Sequence, residues 1–138
     1  MKSITVTDAK KIGTIMDYVH DRTFELSMVR FDEKSRTLLI PLTVISDETK
    51  DMKKVLFVRT WKNPVVEATL LIKNATNYSV KDEAQIDQGI INTIVQEGSH
   101  VLIKCSVPVE IRAEVTRLEL ELVLSDTVTS QKSRFAFG

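Results

Sequence analysis

Apolar and polar residues alternate one by one in segment after segment of this chain. The pattern is clearest from Leu118 to Leu124, where leucine occupies every second position and Glu119 and Glu121 lie between leucines. Successive side chains of a β-strand point to opposite faces, so a period of two predicts a strand that buries one face and exposes the other. The chain is therefore predicted to be mainly β.

The same alternation predicts further strands, spaced at roughly 8–12 residues and bounded by turn residues. They cover 23–28, 37–44, 55–61, 65–72, 101–107 and 109–115. Turn residues at 32–35 join the first two of these strands into a hairpin. In the second strand Pro41 has no backbone N–H, which predicts an edge strand or a bulge at that position.

Residues 86–96 fit two structures. Ile86, Ile90 and Ile94 recur at helical spacing, whereas Gly89 and the many β-branched residues favour a strand. A strand is the interpretation that we favour, and a helix is the alternative.

One segment near the beginning has the helical period. Its apolar residues lie at i, i+3, i+4 and i+7, namely Ile12, Ile15, Met16 and Val19. Thr7 or Asp8 is available to accept from the first free backbone N–H groups. These features predict an amphipathic helix over 8–19.

Together the patterns predict an antiparallel β-sandwich or barrel with one N-terminal helix. It has roughly seven to nine strands between about residues 23 and 125. A chain of 138 residues fits one domain, 1–138, in which residues 126–138 form a polar C-terminal tail. The two N-x-S/T sequons within 74–79 are interpreted as a turn rich in Asn and Thr.

Composition and charge limit the class of function. Nineteen basic residues balance nineteen acidic ones, so no overall field draws the protein to nucleic acid or to an anionic membrane. No apolar run approaches the roughly 20 residues that span a bilayer, and no signal peptide is visible. The single cysteine, Cys105, cannot form an internal disulfide. These features predict a cytoplasmic protein that is not associated with a membrane.

The residues that usually carry catalysis or bind metals are few. His20 and His100 are the only histidines, and no Cys/His spacing typical of a zinc site is present. The spacing of the four glycines matches no phosphate-binding motif. We therefore expect neither a metal nor a cofactor. Cys105 shares a predicted strand face with apolar residues and lies on the face opposite His100, which predicts a core thiol with a raised pKa.

His20 and Asp21 form one candidate polar site. Asp21 is placed to orient the imidazole or to share a cation with it. The alternative is that Asp21 caps the turn after the helix while His20 packs against the next strand. One dipeptide carries little specificity, so we favour the structural interpretation.

A second candidate is an interaction face in a locally basic segment. From Lys50 to Lys73 the chain carries six basic and two acidic residues, whereas residues 110–126 are mainly acidic. The candidate face consists of Lys53, Lys54, Arg59, Trp61 and Lys62. Aromatic and basic residues on one strand are also found in binders of single-stranded nucleic acid. We favour core packing of the aromatic residues, and a protein partner or a homo-oligomer for the face.

A helix that ends in His20-Asp21, followed by a hairpin whose second strand carries Leu38–Leu42, resembles the opening of several small, uncharacterised bacterial β-rich families. Some of these families are immunity proteins of toxin systems. The resemblance covers residues 16–45 and implies an interaction role, without assigning a functional residue.

Three functional hypotheses follow. The leading one is a non-enzymatic module that binds another protein, because catalytic residues are sparse and charge is polarised along the strands. The second is a carrier that holds a small apolar ligand in a barrel cavity. The third is an enzyme that uses His20 and Asp21.

Overall fold

The structure is a computed structural model that describes residues 2–45 and 64–130, with the backbone alone at 64 and 126–130. Ten strands form most of this part of the chain. They are β1 (Lys2–Val6), β2 (Thr23–Glu25), β3 (Arg30–Asp32), β4 (Thr37–Ile45), β5 (Pro64–Ile72), β6 (Ala75–Lys81), β7 (Gln88–Glu97), β8 (His100–Cys105), β9 (Glu110–Val115) and β10 (Leu120–Ser130). One helix, α1 (Gly13–Val19), and two 3₁₀ turns, Ala9–Lys11 and Leu26–Met28, complete it.

The strands form two antiparallel five-stranded sheets. Sheet 1 has the order β1-β10-β5-β4-β3, and sheet 2 has the order β2-β7-β8-β9-β6. After an earlier crossing to β2 and back, the chain passes from sheet 1 to sheet 2 at Lys73–Asn74 and returns at residues 116–119. These two corners are joined by hydrogen bonds, since Lys73 N donates to Glu119 O and Thr116 N donates to Asn74 O. The prediction of a mainly β, antiparallel fold with an N-terminal helix is confirmed.

One hydrophobic core lies between the sheets and against α1. The alternation predicted from sequence selects its members: Leu38, Ile40 and Val44 of β4 are fully buried, as are Leu120 and Leu122 of β10. Sheet 2 and the helix supply the facing side chains. Those with no exposed surface include Ile15, Val19, Ile91, Val101, Ile103, Ile111 and Ala113.

The predicted helix over 8–19 is divided. Asp8 caps a 3₁₀ turn by accepting from Lys10 N, and the α-helix begins only at Gly13. Its buried face is the predicted one, with Ile12, Ile15 and Val19 in the core.

The predicted strand over 23–28 ends at Glu25, so this prediction is wrong for its second half. The second 3₁₀ turn, in which Val29 N donates to Leu26 O, redirects the chain. As a result β2 pairs with β7 in sheet 2 and not with β4 as predicted, while β3 forms the hairpin with β4 around the predicted turn at 32–35. Met28, which the alternation places on the buried face, is 46% exposed.

Pro41 lies at the predicted kind of position. On one side Pro41 pairs with Thr69 of β5. On the other side β3 pairs only with residues 37–39 of β4, so Pro41 has no described strand beside it there. The missing N–H therefore breaks no ladder on that side.

Three further predictions need correction or completion. Residues 86–96 form a strand rather than a helix, as favoured, although β7 begins at Gln88. Residues 74–79 are not simply a turn, because β6 begins at Ala75. The C-terminal tail predicted over 126–138 is strand up to Ser130, where β10 continues past a bulge to pair with β5. β1 has no counterpart in the sequence prediction, and it pairs with β10.

Candidate functional site

His20 and Asp21 lie side by side at the end of α1. His20 N donates to Met16 O, and Asp21, with a φ of 63°, donates from its N–H to Ile91 O. Their side chains are 53% and 69% exposed, with His20 Nδ1 3.4 Å from Asp21 Oδ2. Neither residue lines the two cavities described below. The backbone of the pair ends the helix and ties it to β7, and the side chains point into solvent.

The second candidate lies outside the described residues. Lys53, Lys54, Arg59, Trp61 and Lys62 fall within 46–63, together with the strand predicted over 55–61.

Two of the open cavities in the described part of the chain have walls that mix polar and apolar groups. The larger, of about 660 Å³, lies between β2 and sheet 1, and its walls mix Phe24 and Leu42 with Glu25, Thr43 and Glu67. The smaller, of about 390 Å³, lies beside the connection between β8 and β9, where Cys105 meets lysines and glutamates. Neither is an enclosed apolar chamber of the kind that a carrier requires.

Cys105 is half-buried: it lines the smaller cavity, and its thiol approaches Gly89 of β7. An ideal Cβ placed on Gly89 would lie 3.0 Å from Cys105 Sγ and 2.5 Å from Phe24 Cζ, so the thiol and the ring share one crowded space. Burial raises the pKa of Cys105 to about 11, as its apolar neighbours predict. The thiol is therefore protonated at neutral pH and is a poor nucleophile.

An ionic cluster covers one end of sheet 1. Lys73 Nζ lies 2.8 Å from Glu121 Oε1 and 3.6 Å from Glu119 Oε2. The hydrogen bond from Lys73 lowers the pKa of Glu121, and the same bond raises the pKa of Lys73. Arg117 Nη2 lies 3.7 Å from Glu119 Oε1, so two cations face two carboxylates in this cluster, which fastens β5 to β10.

Among the described residues, two of the four exposed large apolar side chains lie on one strand, β6. Tyr78 and Val80 pair with Ala113 and Ile111, which are both fully buried, so the two side chains lie on the core-facing side of sheet 2. They are nevertheless 39% and 41% exposed. The Phe31 ring of β3 contacts Tyr78 with the ring centroids 5.6 Å apart, and part of the surface of Tyr78 and Val80 stays exposed.

The backbone of β6 is open along the same stretch. β6 is the last strand of sheet 2 and pairs only with β9 among the described strands. One irregularity interrupts this pairing, between Ala75 and Asn77, and residues 77–81 then pair without a break. We define the β6 flank as this open edge together with Tyr78, Val80 and Phe31. Unpaired N–H and C=O groups beside apolar side chains are suited to bind a further strand.

Sequence reasoning missed the β6 flank because Asn74 and Asn77 resemble turn residues. Asn74 does occupy a turn, with a φ of 58°. A usable signal was present nonetheless: Tyr78 and Val80 alternate with Asn77, Ser79 and Lys81. This is the period of a strand with one apolar face.

Comparisons of the chain with protein-family models, with curated proteins and with solved structures give no match. Within residues 2–45 and 64–130, no three His, Cys, Asp or Glu side chains converge to hold a metal ion. No helix of that same part has the length and apolar character needed to cross a bilayer. The β6 flank is the candidate functional site that remains.

Proposed function

We propose that this protein is a non-enzymatic interaction module that binds protein through the β6 flank. The observation that carries the proposal is the coincidence of an open strand edge with two exposed apolar side chains, Tyr78 and Val80, on one stretch of chain. Either feature alone is common on protein surfaces, and together they supply both parts of a strand-binding site.

The mode of binding is strand addition. An extended segment that pairs with residues 77–81 gains main-chain hydrogen bonds from the edge, while its alternate side chains cover Tyr78 and Val80. Edge strands that stay unpaired are usually blunted by proline, by inward-pointing charge or by a covering loop. β6 has no proline, and its single charged residue, Lys81, lies at its end and on the outer face.

Two other lines support an interaction role. The side chains of His20 and Asp21 are exposed and line neither of the two cavities described above, so the hypothesis of an enzyme that uses this pair has no site to build on. The sequence resemblance over residues 16–45 is to families that include immunity proteins of toxin systems, and it implies binding rather than catalysis.

The test is photo-crosslinking from the flank in cells that make the protein. The chain has two tyrosines, which provide a matched pair of positions. Benzoylphenylalanine at Tyr78 is expected to yield a discrete crosslinked protein, whereas the same group at Tyr18, on α1, is not.

A second substitution on the flank makes the result specific. Val80→Glu should remove the product that forms from position 78, because a charge then faces the bound strand. The product is identified by mass spectrometry. Absence of any product specific to position 78, or a product that Val80→Glu leaves intact, contradicts the proposed function.

A further inference from the structure

The residues of β6 indicate which partner the β6 flank binds. We infer that it binds the β6 flank of a second copy of this chain, antiparallel about a two-fold axis at Ser79, so that two sheets 2 join into one. This inference rests on the proposed function and names the occupant of the same site. Three features of the described residues carry it, and each is taken in turn.

The first feature is the fit of the apolar side chains. An axis at Ser79 places Tyr78 of one copy opposite Val80 of the other, and symmetry repeats the pair on the other side of the axis. Aromatic and β-branched residues form favourable cross-strand pairs. Each exposed side chain, at 39% and 41%, thereby covers the other.

The second feature is charge. The same register places Lys81 of one copy opposite Asn77 of the other, and Asn77 pairs with Glu114 on β9. All three lie on the outer face of sheet 2, so the Lys81 ammonium group reaches toward the carboxylate of Glu114 two strands away. Two such lysine–glutamate pairs form, one on each side of the axis.

The side chains of Lys81 and Glu114 are both available for this ion pair. Lys81 makes no ion pair with the described residues. Glu114 accepts from Thr76 Oγ1 at 3.0 Å and has His100 Nε2 at 3.7 Å, and its side chain is 43% exposed. The Lys81 ammonium group of the second copy therefore supplies a further ionic partner to the Glu114 carboxylate, which is only partly satisfied within one chain.

The third feature is the symmetry of the backbone. A two-fold interface uses the same surface on both copies, and an antiparallel strand pair is the form that such an interface takes at a sheet edge. Moving the axis to Tyr78 places Tyr78 against itself and Lys81 opposite Ala75. Of these two registers, the one at Ser79 satisfies the apolar and the charged groups together.

The experiment is sedimentation velocity of the full chain over a range of concentrations, with two charge reversals. Lys81→Glu brings a carboxylate at position 81 against Glu114, and Glu114→Lys brings an ammonium group at position 114 against Lys81. Each variant alone should dimerise about tenfold more weakly than the wild type, or not at all, because like charges meet twice.

The equimolar mixture of the two variants is the decisive sample. In the mixed dimer a glutamate at 81 meets a lysine at 114, and a lysine at 81 meets a glutamate at 114. Dimers should therefore return in the mixture and weaken with added salt. Lys10→Glu, on the first 3₁₀ turn, is the matched control and should dimerise as the wild type does.

The outcomes separate the two proposals. A wild-type protein that stays monomeric, variants that dimerise unchanged, or a mixture of folded variants that stays monomeric each overturns the second-copy inference. Crosslinking from position 78 to a different protein keeps the proposed function and overturns the inference. A crosslinked product of twice the chain mass supports both.

Discussion

At the scale of single residues, Gly89 is a glycine with no room for a side chain. It lies on β7 opposite Phe24 of β2, and the ring occupies the space that a side chain at position 89 would need. The glycine is therefore a packing requirement rather than a conformational one. The Cys105 thiol limits the same space, since its Sγ lies 3.0 Å from the ideal Cβ position.

Gly89→Ala is expected to destabilise the protein by about 1–3 kcal/mol, because the new methyl group lies 2.5–2.6 Å from ring carbons of Phe24 and the ring or strand must shift. Gly13→Ala is the matched control. Nothing lies within 4 Å of its new methyl group, and alanine in α1 should raise stability by up to about 1 kcal/mol. Denaturant unfolding measures both, and equal effects would contradict this account of Gly89.

The pair formed by Lys73 and Glu121 predicts how one contribution to stability varies with pH. The pKa of Glu121 is lowered in the folded protein, so its contribution is present above the ordinary value of 4.5 and is lost as pH falls through the lowered value. The pKa of Lys73 is raised, so its contribution is present below 10.5 and is lost as pH rises through the raised value. The pair therefore stabilises most between these limits.

Glu121→Gln should cost up to about 1 kcal/mol at pH 7, the range for partly exposed pairs. The difference in free energy of unfolding between wild type and variant should shrink as the pH falls below 4.5. Urea unfolding at pH 7 and at pH 3 measures it. A difference that grows toward pH 3 would have the wrong sign for this carboxylate.

At the scale of elements, the two sheets are held together at the open part of β4. Arg22, at the start of β2, donates from Nε to Thr43 O at 2.7 Å and from Nη2 to Thr43 Oγ1 at 3.1 Å. The guanidinium group thus caps a backbone carbonyl that no described strand reaches. Burial lowers the pKa of Arg22, which nevertheless stays charged at any physiological pH.

Arg22→Ala is expected to cost about 1–3 kcal/mol, because both hydrogen bonds are lost and Thr43 O is left without its donor. Thr43→Val removes only the hydroxyl acceptor and should cost about 0.5–1 kcal/mol. Thermal unfolding of the two variants compares them. Equal losses would mean that the bond to the carbonyl adds nothing to stability.

The elements also show how far sequence reasoning reaches. Strands with long alternating patterns, such as β4, β5 and β10, were predictable because the apolar residues at every second position mark the face that is buried in the core. The prediction extended β2 to residue 28 and missed β3, since the 3₁₀ turn at Leu26–Met28 depends on a bond from Leu26 N to Asp87 O that no local pattern reveals. The candidate site at β6 was hidden by Asn74 and Asn77, whose turn chemistry outweighed the short alternation after them.

At the scale of the whole molecule, the core determines how the described structure unfolds. Its members come from both sheets and α1 and form one continuous cluster. Neither sheet can separate without exposing the leucine and isoleucine face of the other. We therefore expect a single cooperative transition.

Cys105 reports on this transition from sheet 2. With a pKa of about 11 against an ordinary 9.0, the folded protein holds about 100-fold less thiolate below pH 9 than the unfolded chain does. Brief alkylation at increasing urea should give the same midpoint as circular dichroism. An earlier midpoint for the thiol would mean that sheet 2 opens before sheet 1.

The order of sheet 1 has a consequence for synthesis. β10 is a neighbour of both β1 and β5, although some fifty residues separate it from β5 and more than a hundred from β1. When β1 to β9 of a nascent chain have left the ribosome, β10, the strand that lies between β1 and β5, has not yet emerged. Until β10 emerges, the apolar faces of sheet 1 have no settled arrangement, and the chain is most exposed to aggregation and to chaperone binding.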